Sequence, residues 1–140
     1  MDPEKLDMMQ RMPVVYEIDR ARSIIRTRCV GHVSFEEVIG HFHVLESDPL
    51  CPSRLDVLLD LSAMTSLPDP GQLRAVSSEM GKVQERVRFG ACAVVAPRDV
   101  LYGLLRMFEV FAEGQFRTTR VFREVDEAET WLLGQLTPAV

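Results

Sequence analysis

Residues 55–62, Leu-Asp-Val-Leu-Leu-Asp-Leu-Ser, hold four Leu and one Val. A strand wetted on one face alternates apolar and polar positions. A near-continuous apolar run, stopped by a Ser/Thr/Pro/Asp/Gly loop, instead predicts a central strand covered on both faces. Residues 89–96, Phe-Gly-Ala-Cys-Ala-Val-Val-Ala, predict a second such strand, with side chains small enough for close helix approach. Upstream, Val14, Tyr16 and Ile18 share one face, residues 19–22 make a tight turn, and Ile25, Thr27 and Cys29 oppose Arg26 and Arg28 until Gly31. That pattern predicts an antiparallel hairpin at the edge of the sheet. Thr119, Val121 and Phe122 mark a last short strand.

Helical periodicity fills the intervals. Ser34 and Glu37 form a capping box ahead of Phe35, Val38, Ile39, Phe42 and Leu45, a buried stripe. Asp69 predicts the N-cap of a second helix with Pro70 in its first position and a narrow seam of Leu73, Val76, Met80, Val83 and Val87. Asp99 is expected to cap a third helix running to about Ala112, and residues 126–129, Asp-Glu-Ala-Glu, a capping box for a last helix burying Ala128, Trp131 and Leu132. The order β-β-α-β-α-β-α-β-α predicts an α/β fold. It implies a five-stranded mixed sheet with an antiparallel N-terminal hairpin, parallel pairs, right-handed crossovers and helices packed on the sheet. Residues 1–12 read as an N-terminal arm, 13–136 as a single domain and 137–140 as a loose tail.

Composition narrows the class. With 140 residues, 46% apolar and 26% charged, the chain has the make-up of an ordinary globular domain. A net charge of −5 argues against nucleic acid, which asks for clustered cations. Arg20, Arg22, Arg26 and Arg28 are the one basic cluster, read as an exposed, edge-protecting strand face. Cys29, Cys51 and Cys92 lack metal-type spacing and fit a reducing, cytoplasmic compartment. No apolar run approaches the ~20 residues of a transmembrane helix, and no signal-peptide core is seen.

Candidate chemistry is sparse. His41 and His43 on one helix stand ~200° apart and cannot share a metal ion, so no metal and no cofactor is expected. Neither a phosphate-binding Gly loop nor a nucleophile elbow occurs. Asp60, Ser62, Thr65, Ser66 and Asp69 are expected to converge beyond the end of the central strand, where open α/β sheets place their sites. Asp60 would serve there as a backbone acceptor fixing the loop, or as a general base if desolvated. The third helix is unusual. Beyond its core stripe, Val100, Gly103, Met107 and Val110 widen the apolar arc to ~220°. That surplus calls for a cover: the N-terminal arm or another helix, a second subunit, an apolar ligand, or a membrane surface.

The hairpin ending in Gly31, the strand end Asp60-Leu61-Ser62, residues 93–97, the helix from Gly103 to Phe111, and Val121-Phe122-Arg123-Glu124 leading to Trp131-Leu132 together resemble the SpoIIAA-like family. These are small bacterial domains related in fold to STAS domains and, more distantly, to Sec14-like lipid-binding proteins. The resemblance spans residues 14–133, and its motifs are mostly packing positions. In STAS anti-anti-sigma factors a serine is phosphorylated in an Asp-Ser-Ser-Gly turn. Here residues 64–71 stand in that place, with Asp69 and Gly71 separated by Pro70 and with Thr65 and Ser66 outside the motif. The leading expectation is a non-enzymatic module acting through a protein partner, as a homodimer. The alternative is a carrier or sensor of a small apolar or lipid-like ligand, which an apolar cavity beside the third helix would favour. An enzyme using Asp60 ranks last.

Overall fold

A computed structural model of the chain describes residues 13–84 and 86–135. The arm 1–12 and the tail 137–140 assigned above lie outside the described residues. Among the described residues the order is β1 (Val14–Asp19), β2 (Ile24–Gly31), α1 (Phe35–Ser47), β3 (Arg54–Met64), α2 (Pro70–Val83), β4 (Arg88–Val95), α3 (Asp99–Phe111), β5 (Thr118–Phe122) and α4 (Val125–Gly134). The strands form one sheet in the order β1-β2-β3-β4-β5. Only the β1–β2 pair is antiparallel, so the expected mixed sheet is present and β3 is its middle strand.

This strand order decides where the helices go. Each parallel crossover advances one strand in the same direction, and right-handed crossovers of that kind put their helices on one face. Accordingly Phe42 and Leu45 of α1, Leu73 and Met80 of α2, and Leu101, Leu105 and Phe108 of α3 join one core with Ile25, Leu55, Val57 and Val94. The opposite face holds a smaller core, in which Ala128 and Leu132 of α4 meet Ile24, Leu58, Ala93, Val95 and Phe122. Leu55, Leu58 and Val94 are all under 5% exposed, which is why residues 55–61 needed apolar side chains in both directions.

The caps of α1 and α2 are the predicted ones. Ser34 accepts from the Glu37 N–H while Glu37 accepts from the Ser34 N–H, and Asp69 and Gln72 do the same for α2. The other two starts differ from expectation. Arg98 is the N-cap of α3, and Asp99 lies inside the helix, paired with the Arg123 guanidinium. Glu124 is the N-cap of α4 without a side-chain cap bond, so the helix begins before Asp126 and the box expected at residues 126–129 lies inside it, where Glu129 pairs with Arg26 of β2. The same contact corrects the reading of the arginine cluster. β1, not β2, is the edge strand, and Arg26 lies half-buried under α4, bonded to Glu129 and to Asp19 at 3.3 Å.

Candidate functional site

The predicted polar cluster is divided between the two faces of the sheet. β3 continues to Met64, so Asp60 and Ser62 lie within the strand. Between the pairs Arg28↔Asp60 and Val30↔Ala63, β3 carries one residue more than β2, a bulge at residues 61–62. Asp60 Oδ1 accepts from the Ser62 N–H at 2.9 Å and from its hydroxyl at 2.6 Å, satisfying a donor beside the bulge. The bulge also shifts side-chain alternation, so that Leu61 and Met64 both enter the core under α1 and α2. Ser66 points toward that same side. Its hydroxyl accepts from the Val33 N–H at 2.9 Å and donates to the Val33 carbonyl at 3.1 Å, tying the β3–α2 loop to the start of α1. Asp69 is occupied as the α2 cap, accepting from the Gln72 N–H at 2.8 Å, and exposed Thr65 donates its N–H to the Gly31 carbonyl.

A second bulge lies at the other end of β3. One residue separates Leu55 from Val57 where two separate Phe89 from Cys92, so β4 carries the extra residue. The buried Asp56 carboxylate accepts from the Ala91 N–H at 2.8 Å and lies where a side chain on Gly90 would stand; a Cβ there would come within 2.2 Å of Oδ1. Sequence reading passed over Asp56 as one polar residue in an apolar run. Its signal was an acid between Leu55 and Val57 with a glycine in the next strand.

The geometry that can hold a ligand is a cavity of about 260 Å³ between α1 and α2, over the carboxyl ends of β2 and β3. Cys29, Leu59, Leu61 and Met64 form its floor, Phe35 and Val38 one wall, and Leu73 and Val76 the other. Leu105 and Phe108 of α3 close the back, and Leu67 and Pro68 overhang the mouth. Its few polar groups are His32, Ser34, Glu36, Ser66 and Gln72, all at the helix starts and their loops. An apolar chamber with a handful of polar groups at one end is the ordinary form of a small-molecule site. Burial, aided by the nearby carboxylates of Asp60 and Glu37, pushes the Cys29 thiol up to about 12, so it lines the floor as a neutral apolar group. One turn along α1 from Val38, His41 packs its ring 5.1 Å from Tyr16, and burial lowers it to about 4. Among the described residues no group of three or more His, Cys, Asp and Glu is placed to hold a metal ion.

The surplus face of α3 is open among the described residues. Val100 is 63% exposed, Val110 62% and Met107 41%, while Gly103 has open space where a Cβ would project. No helix among the described residues is long and apolar enough to cross a membrane.

One-directional winding, three helices on one face and one on the other, and a bulged central strand define a small α/β domain of SpoIIAA-like fold. The chain is similar to the solved structure of an uncharacterized protein from the DUF3478 family with a SpoIIAA-like fold, from Shewanella loihica PV-4. The match has a TM-score of 0.57 and 18% identity, and covers 85% of this chain and 93% of that one. At that identity the likeness concerns fold alone, and it agrees with the resemblance read from the packing motifs. No family model and no curated protein matches the chain.

Proposed function

We propose that this SpoIIAA-like domain is a non-enzymatic binding module that takes a small apolar ligand between α1 and α2. The observation that carries the reading is the cavity itself: it is lined almost throughout by apolar side chains, and Leu105 and Phe108 of the third helix form its back. Its volume of about 260 Å³ lies just below the roughly 300–1,000 Å³ of ordinary ligand pockets, which suits a small guest such as n-octanol. Asp60 is committed to Ser62, which favours a structural over a catalytic role for that carboxylate. The test is a titration with n-octanol followed through methyl resonances. Met64 and Leu73 are expected to shift and Met107 to stay, and Val76→Phe, which fills the chamber, is expected to abolish the response while retaining the fold. Absence of any shift at Met64 and Leu73 up to the solubility of the alcohol would refute the reading.

A second reading is favoured by a separate observation. Val100, Met107 and Val110 present exposed apolar surface on one side of α3, with Gly103 allowing a close approach. Self-complementary pairing of two copies through that helix would cover it and give the homodimer expected from the sequence.

A further inference from the structure

We infer that the guest of the α1–α2 cavity carries a cationic, amine-type head, an inference that rests on the cavity being a ligand site and adds the chemistry of the ligand's polar end. The apolar interior fixes only the body of a guest; the groups at the mouth decide which head is tolerated there. Both flanking helices begin at that mouth, and each begins with acid. Glu36 and Glu37 occupy the first turn of α1, and Asp69 is the N-cap of α2. Glu37 and Asp69 are committed to their capping boxes, but Glu36 lines the cavity with neither an ion-pair nor a hydrogen-bond partner among the described residues.

Positive charge at the mouth is weak by comparison. Arg98 donates to the Ser66 carbonyl at 3.3 Å and is not among the lining side chains. Among the described residues no Lys or Arg side chain lines the cavity, and His32 is the one imidazole that does. A carboxylate head would therefore meet like charge at both helix starts, where the usual welcome for anions is already taken by Asp69 and the α1 glutamates. An ammonium head would place a cation beside Glu36 while its tail fills the chamber. Glu36 is exposed, so the preference is a modest one, roughly two- to fivefold in affinity at low salt.

The experiment compares n-octylamine, n-octanol and n-octanoate, below their aggregation limits at pH 8, where the amine is charged. Binding is read at the Met64 and Leu73 methyls. The expected order is amine, then alcohol, then carboxylate. Glu36→Gln should erase the advantage of the amine over the alcohol, and 1 M salt, where the screening length is about 3 Å, should erase it in the wild type. Binding of octanoate as tightly as octylamine, or an amine-to-alcohol ratio indifferent to Glu36→Gln, would overturn the head-group inference and leave the apolar site standing. Failure of all three compounds to shift Met64 would remove the site and the inference together.

Discussion

Asp56 and Gly90 show how a single pair of residues sets the register of two strands. The β4 bulge removes the Ala91 N–H from the regular ladder, and a buried donor without an acceptor costs about 1–3 kcal/mol. Asp56 Oδ1 supplies that acceptor, and only a residue without a Cβ at position 90 leaves it room. Asp56→Ala is expected to lower unfolding stability by about 1–3 kcal/mol, and Gly90→Ala by about 1–3 kcal/mol through overpacking. Because the second change clashes with the very carboxylate that the first removes, the double variant should lose less than the sum. Urea unfolding of the four proteins checks this; strict additivity would mean that the two positions do not share one cause. At this scale the sequence was least informative. Asp60 and Asp56 look alike in the run of residues 55–62, yet they serve bulges on different strands. A bulge depends on the pairing of two strands, so neither strand's own alternation announces it.

The helices were legible where their signals are local. Ser34 with Glu37 forms the capping box read for α1, and Asp69 caps α2 as read, with Gln72 completing a second box there. Residues 126–129 have a similar pattern, but the helix begins two residues earlier, after Glu124, so Asp126 and Glu129 lie within it and Glu129 pairs with Arg26 on β2. The packing of α1 on the hairpin carries a pH dependence. His41 sits against Tyr16 and 3.4 Å from the Thr27 hydroxyl, and burial holds its folded value near 4, below the 6.5 of an open chain. Between those values the unfolded chain takes up a proton that the folded one refuses. Stability is therefore complete above pH 6.5 and falls as pH drops toward 4, by on the order of 2–3 kcal/mol. His41→Phe should flatten that part of the profile, as thermal unfolding scanned from pH 7.5 to pH 4 would show. An unchanged slope in the variant would assign the loss to other groups.

For the whole molecule, the mixed sheet and the middle position of β3 followed from runs of apolar residues, and the chamber lies at the strand ends where a site was expected, but lined mostly by other residues. Open sheets usually bind at a point where strand order reverses. Here β1-β2-β3-β4-β5 never reverses, and of Asp60, Ser62, Thr65, Ser66 and Asp69 only Ser66 lines the chamber. The volume arises instead where the short side chains Cys29, Val38 and Val76 meet beneath two adjacent helices, and packing of that kind is spread over five elements. The outer side of α3 is the other whole-molecule feature, and it makes a prediction about assembly. Light scattering across a concentration series is expected to give a dimer for the wild type and a monomer for Met107→Glu, with unfolding of the monomer otherwise unchanged. A wild type that stays monomeric when concentrated, or a dimer indifferent to the substitution, would dismiss pairing through α3.

The latch from Ser66 to Val33 spans the gap between two neighbouring crossovers without belonging to the hydrogen-bond ladder of the sheet. Both bonds lie outside the strand ladders, so any separation of α1 from α2 would break them without disturbing strand register. On the proposed function, exchange of a bound guest and loss of the fold would then be separate events on separate clocks.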